Sequence, residues 1–251
     1  MIMNKFHPLT ITSIAMLTAD AVAISFEVSN NALFQFEAGQ YITIKQDING
    51  EEVRRAYSIC SMNAEGVTIG VKKVEAGRMS TFLTESVNKG DVLQVMPPSG
   101  NFVIKGDNKH IVGICAGSGV TPIIAMIKTE LAKPSDAKFT LIYGNKTKDS
   151  SMFADELQQL QINNSDRLKI HNAYSREGVA GAINGRLDKN TIQQLLNTFM
   201  SLKTADAYFI CGPGELIDNT NELLLLNNVN QKKINFERFT TVEKTDVADN
   251  D

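Results

Sequence analysis

The apolar pattern of the chain changes once, a little before its midpoint. Up to residue 104 the apolar residues come in short runs rich in Val, Ile, Thr and aromatics: FHPLTITSIAML, AVAISFEV, QYITIKQ, AYSICSM, GVTIGVKKV and DVLQVMP. Such runs read as strands. Turn signals separate them, at Asn30 and Asn31, Ile48-Asn49-Gly50, Glu65-Gly66, Lys89-Gly90-Asp91 and Pro97-Pro98. Six strands at this spacing predict an antiparallel barrel. One helix is expected to interrupt them, over residues 79–87, with Phe82, Leu83 and Val87 on its apolar face.

Beyond Lys105 strand and helix patterns alternate. The expected pairs are HIVGICA with VTPIIAMIKTEL, AKFTLIYG with SMFADELQQL, DRLKIHNAYS with LDKNTIQQLLNTFM, and DAYFICG with GELIDNTNELLLLNN; KKINFERF closes the series. Five strands joined by helical crossovers predict a parallel sheet covered on both faces. The boundary falls near residues 104–108, so the expected organisation is a barrel domain over 1–105 and an α/β domain over 106–240. Residues 241–251 are polar and aperiodic and read as a tail or linker.

The first alternating unit carries the sharpest local signal. Four of the five residues from Ile111 to Cys115 are apolar, as in a short strand buried on both faces. Ala116-Gly117-Ser118-Gly119 follows, and then Val120-Thr121-Pro122 leads into apolar residues at helical spacing, Ile123, Ile124, Ile127 and Leu131. A strand, a glycine turn and a helix start can cradle a phosphate, because the backbone approaches closely and the helix N-terminus offers unpaired N–H groups. The pattern is G-x-G-x-x-P, and the same residues also describe an ordinary strand-to-helix turn. In the barrel half, Arg55-Ala56-Tyr57-Ser58 supplies a cation, an aromatic face and a hydroxyl on one strand. Strand alternation would aim Arg55 and Tyr57 one way and Ser58 the other. Gly77-Arg78-Met79-Ser80-Thr81 opens the barrel's helix and reads as a capped N-terminus open to a phosphate.

Composition narrows the partners. At 251 residues the chain is long enough for two domains. A net charge of −3 and a pI near 5.7 give no electrostatic reason to expect nucleic acid or an anionic membrane. The first residues lack the apolar run of a signal peptide, and no stretch approaches membrane-spanning length. Three widely spaced cysteines, Cys60, Cys115 and Cys211, suit reduced thiols in a cytoplasm and cannot ligate a plant-type iron–sulfur cluster within this chain.

Taken in order, RAYS, GRMST, CAGSGVTP and FICGP resemble the ferredoxin–NADP reductase superfamily over about residues 5–240. The resemblance implies FAD at Arg55, Tyr57, Ser58, Gly77, Ser80 and Thr81. Tyr57 would stack on the flavin ring, Ser58 lie near its reactive nitrogen, and Arg55 meet the pyrophosphate. It implies NADPH, with NADH possible, at Gly117, Gly119, Thr121 and Pro122. Cys211, Gly212 and Pro213 would flank the hydride path, with Cys211 positioning the nicotinamide ring by packing. Ser175 and Arg176 would meet a 2′-phosphate, and no Asp or Glu ends the second parallel strand to bind a ribose hydroxyl in its place. Phe239 would either shield the flavin face or pack the sheet edge.

The function implied is an NADPH-dependent flavoprotein reductase that feeds single electrons to a one-electron carrier. The ICAGSGVTP, YSRE and ERF segments resemble reductase components that serve oxygenases, such as that of phenylacetyl-CoA epoxidase. The expected partner is a [2Fe–2S] ferredoxin domain or protein, with residues 241–251 resembling the linker to such a domain. Two other readings stay open: a stand-alone ferredoxin, flavodoxin or free-flavin reductase, and a non-catalytic nucleotide-binding regulator that kept the fold.

Overall fold

A computed structural model describes residues 5–28 and 32–239 of the chain; the expected tail lies outside them. Six strands form the first sheet: β1 (His7–Thr18), β2 (Ala21–Phe26), β3 (Tyr41–Ile48), β4 (Glu51–Ser58), β5 (Thr68–Lys72) and β6 (Val92–Val95). The helix α1 (Arg78–Glu85) lies between β5 and β6. The order across the sheet is β4-β3-β6-β1-β2-β5, with every pairing antiparallel. Its two edges meet through the bridge between Ile59 and Ile69 and a 2.8 Å bond from Cys60 N to Thr68 O, which curls the sheet into the expected barrel. Ile11, Ile24, Ile42, Ile44, Ile69, Val71 and Val95 fill its interior.

β4 begins five residues ahead of the apolar run that announces it, at Glu51 rather than Ala56. The turn at Asn49 (φ 58°) and Gly50 (φ 79°) sets the hairpin with β3. Of the residues that follow, Glu51, Glu52, Arg54 and Arg55 are charged and Val53 alone is buried, because β4 is an edge strand with most of that stretch turned to water.

The second half continues with β7 (His110–Ala116), α2 (Val120–Ala132), β8 (Lys138–Asn145), α3 (Ala154–Asn163) and β9 (Leu168–Tyr174). It ends with β10 (Ile183–Asn184), α4 (Lys189–Thr198), β11 (Ala207–Gly212), α5 (Gly214–Leu226) and β12 (Ile234–Arg238). All pairings are parallel, in the order β10-β9-β8-β7-β11-β12. The five expected strands are present, and β10 extends the edge as a sixth. At two residues β10 is too short to leave an apolar pattern. One face of the sheet is covered by α2 and α3, the other by α4 and α5.

α2 also joins the two halves. Ile123, Met126 and Ile127 are wholly buried in a core cluster that includes Ala21, Cys60 and Phe102 from the barrel side. Burying side chains of this size contributes roughly 1.5–3 kcal/mol each. Close approach is needed at Gly70 on β5, where an added Cβ would lie 2.5 Å from Thr121 Cγ2. Among the described residues no helix is long and apolar enough to cross a membrane.

Candidate active site

The chain runs from β7 outward through β8 and β9, then returns to β11 and β12 on the other side of β7. The gap between the carboxyl ends of β7 and β11 is therefore a topological switch point, the place where open parallel sheets bind ligands. A cleft of about 1510 Å³ opens there and continues along the rim of the barrel.

On the barrel side the cleft is lined by Arg55, Tyr57 and Ser58 together. Alternation along β4 would have separated Ser58 from the other two. The cleft nevertheless takes in residues of both faces of this strand. Burial pushes the Tyr57 phenol well above its ordinary value, with Arg55 pulling weakly the other way. Arg55 gives one guanidinium N–H to the Arg54 carbonyl at 2.7 Å, so its remaining donors are available to a ligand.

Gly77, Arg78, Met79 and Ser80 line the same cleft where α1 begins. The N-cap is Gly77, with no side chain to cap the helix. The Ser80 hydroxyl instead donates to Gly77 O at 3.0 Å and accepts from Val74 N at 3.1 Å, tying the approach loop back on itself. Thr81 N makes the first helical bond, to Gly77 O at 2.9 Å. The expected capped start is thus an uncapped one, which leaves its leading N–H groups for an anion. Thr81 is half-buried and does not line the cleft.

On the sheet side, Gly117, Ser118 and Thr121 line the cleft at the start of α2. Gly117 O accepts the Tyr143 hydroxyl at 3.3 Å, and Thr121 Oγ1 donates to Ser118 O at 2.9 Å. Gly119 and Pro122 are buried behind this surface. A Cβ on Gly119 would stand 2.2 Å from the Cys211 carbonyl oxygen, so the turn after β7 rests directly on the end of β11. Gly212 follows with φ 151°, a conformation open to glycine, and with Pro213 it lines the cleft. Cys211 itself is fully buried, and burial, with Glu237 and Cys115 beside it, holds its thiol protonated.

At the far end, Ser175 and Arg176 are exposed and line the cleft. Their backbone N–H groups bond to Asn145 O (3.0 Å) and Lys146 O (2.9 Å), which joins the ends of β8 and β9. Phe239 also lines the cleft and is 45% exposed.

Several lining residues carry no mark in the sequence pattern. Lys146 and Arg186 join Arg176 at the far end, giving three cations around one rim. Lys146 follows the end of β8, a signal that could have singled it out, whereas Arg186 follows β10, which leaves no pattern. Tyr41 and Lys72 also line the cleft, but their sequence neighbours give no hint of it. Glu237 falls within the FERF ending. It has an unpartnered buried Oε2, and burial pushes its carboxyl up to about 7. Asn145 Nδ2 is likewise buried without a partner.

Two uncapped or glycine-led helix starts, a cationic rim, a half-buried phenol and two unmet polar atoms share one cleft. That donor set fits a pair of dinucleotides, one against the barrel and one against the sheet. It defines a two-nucleotide oxidoreductase. Known proteins agree: residues 8–104 match the oxidoreductase FAD-binding domain and residues 114–222 the oxidoreductase NAD-binding domain. The chain is 36% identical over 246 residues to a component of the 1,2-phenylacetyl-CoA epoxidase of Escherichia coli K12, covering 95% of this chain and 69% of that one. It is 29% identical to the ferredoxin reductase component of 3-ketosteroid-9-alpha-monooxygenase from Rhodococcus rhodochrous, covering 96% and 67%. The fold matches a Neisseria gonorrhoeae ferredoxin NADP+ reductase with bound FAD and NADP, at TM-score 0.79 and 19% identity, over 94% of this chain and 99% of that one. The chain belongs to the ferredoxin–NADP reductase superfamily. It is an NAD(P)H-dependent flavoprotein reductase that uses FAD.

Proposed function

We propose that the protein draws electrons from NADPH through FAD and delivers them singly to a [2Fe–2S] domain or protein that serves an oxygenase. The observation that carries this reading is the single cleft in which the barrel's Arg55, Tyr57 and Ser58 share a continuous space with Gly212, Pro213 and Glu237 of the sheet. Bound FAD would supply the conversion of a two-electron hydride into single electrons. The residues of the chain bind and orient. Arg55 and the open start of α1 would hold the flavin diphosphate, and Tyr57 would pack its ring. Ser58 is buried at the inner end of β4, where its hydroxyl can bond a ring nitrogen. Gly117, Gly119, Thr121 and Pro122 would shape the nicotinamide-nucleotide loop. Cys211 would support the nicotinamide from behind, as a packing surface rather than a nucleophile.

NADPH is the preferred nucleotide in this reading. Arg176, flanked by Lys146 and Arg186, can pair with a 2′-phosphate, and Asn145 ends β8 where an acid would favour a free ribose hydroxyl. Relatives named as parts of an epoxidase and a monooxygenase support an oxygenase as the final client. Three buried free thiols support a cytoplasmic setting.

A steady-state assay with several acceptors tests the proposal. Purified protein should be yellow and should reduce ferricyanide with NADPH, since a small acceptor needs no docking surface. Cytochrome reduction should be slow until a plant-type ferredoxin is added. Fast cytochrome reduction that the ferredoxin leaves unchanged would overturn the proposed acceptor.

A further inference from the structure

A second cavity of about 220 Å³ lies between the two halves, further along the outer face of β5 from the nucleotide cleft. It is lined by Leu17, Cys60, Glu65 and Thr68 of the barrel and by Lys128, Phe153 and Glu156 of the sheet half. Lys128 projects from α2, and its side chain is only 14% exposed. Its ammonium reaches Glu65 Oε2 at 2.9 Å, across the junction, and Glu156 Oε1 of α3 at 3.1 Å, within its own half. Glu65 Oε2 also accepts from Met62 N at 2.9 Å, so the barrel carboxylate is fixed before the lysine arrives. Burial opposes the charge on Lys128, but the two carboxylates outweigh it and hold the ammonium above its ordinary value.

The rest of the junction around α2 is apolar, Met126, Ile127 and Phe153 against Ala21, Cys60 and Phe102, and further along β5 one more bond crosses it, from Lys72 Nζ to Ser150 O at 3.2 Å. Apolar contact is non-directional and fixes an angle poorly. A charge pair with one fixed member selects one arrangement among several, which is the best-attested use of such pairs. The geometry points to Lys128 as a positioning residue: its bond to Glu65 sets the angle of α2, and with it the nicotinamide-nucleotide loop, against the flavin wall of the barrel. The inference rests on the reductase reading for its catalytic consequence, although the angle itself does not depend on any ligand. The lysine touches no reacting group. It acts because Lys128 and the Gly117–Gly119 turn belong to one rigid length of chain, about two helical turns apart.

The two carboxylates allow a matched test, because Glu65→Gln removes the charge from the cross-junction pair and Glu156→Gln removes it from the one inside a half. Gln at 65 keeps an acceptor for Met62 N. Nitroxide labels at Met16→Cys and Ile162→Cys, both exposed and on opposite halves, report the angle as a distance distribution, and the three native thiols are buried. Glu65→Gln should broaden that distribution and slow single-turnover flavin bleaching by NADPH about tenfold, since small misplacements of reacting groups are costly. Flavin content and the KM for NADPH should stay as in the parent protein. Glu156→Gln should leave both the distribution and the rate unchanged. An unaltered distribution in Glu65→Gln, or equal broadening in the two variants, would overturn the inference. If the protein took up no flavin, the reductase reading would fail while the label distances still decided this one.

Discussion

Cys211 and Glu237 are register partners on neighbouring parallel strands, the first sealed from solvent and the second turned into the cleft with an unmet carboxylate oxygen. The pair places a thiol that cannot ionise beside a carboxyl poised near neutrality. Burial raises Glu237 from its ordinary 4.5 to about 7. The folded chain thus holds that proton more tightly than the unfolded chain. The linked stability is fully present below pH 4.5 and is lost as pH rises through 7. Glu237→Gln removes this dependence. Melting temperatures of the ligand-free protein at about pH 5 and about pH 8 should fall further in the parent than in the variant. Identical falls in the two proteins would show that Glu237 titrates normally.

Arg55→Ala removes a cation from the barrel wall without touching the barrel core, because the side chain lies on the rim. Loss of a charge-assisted bond costs about 1.5–3 kcal/mol. FAD affinity should therefore drop roughly tenfold to a hundredfold. Flavin release on dilution, followed by fluorescence, measures it. Circular dichroism should report an intact fold.

Arg176→Ala tests the cationic rim. Efficiency, as kcat/KM, should fall by roughly tenfold or more with NADPH, since a bidentate charge-assisted contact to phosphate is lost. With NADH it should barely change. Equal losses with both nucleotides would remove Arg176 from any role at the 2′-position.

Gly119→Ala forces a methyl group against the Cys211 carbonyl, and backbone on both sides leaves no flexible atom to yield. Overpacking of this kind typically costs about 1–3 kcal/mol. The turn after β7 must move away from β11, so nicotinamide-nucleotide affinity should weaken while FAD retention does not. Titration of each nucleotide separately distinguishes the two effects.

The alternation of the second half was legible because each buried strand and each amphipathic helix is long enough to show its period. β7 and α2 are the clearest cases, wholly apolar through their centres. β4 was misplaced at its start because a solvent-facing edge strand carries charges instead of an apolar run. β10 was missed because two residues make no pattern. At the site, the glycine turns were readable from the backbone they demand, whereas RAYS drew its expected roles from the family resemblance. Lys72, Tyr41 and Arg186 were not, because they meet the cleft only after distant segments pack. The same holds for Lys128 and Glu65, which are brought together by a junction that no single segment encodes.

That junction bears on whether the two halves are interchangeable parts. Two separate family matches, over 8–104 and 114–222, invite the view of a barrel and a sheet strung on one chain. Yet the largest apolar cluster on the α2 face contains residues of both, and Gly70 of the barrel has no room for a side chain beneath Thr121. A barrel cut out at residue 105 would turn Ala21 and Cys60 toward water, and a barrel grafted onto a foreign sheet would meet the wrong helix. A foreign sheet would serve this barrel only if its own α2 carried apolar residues where Ile123, Met126 and Ile127 stand, so the fit between the halves is written into that helix.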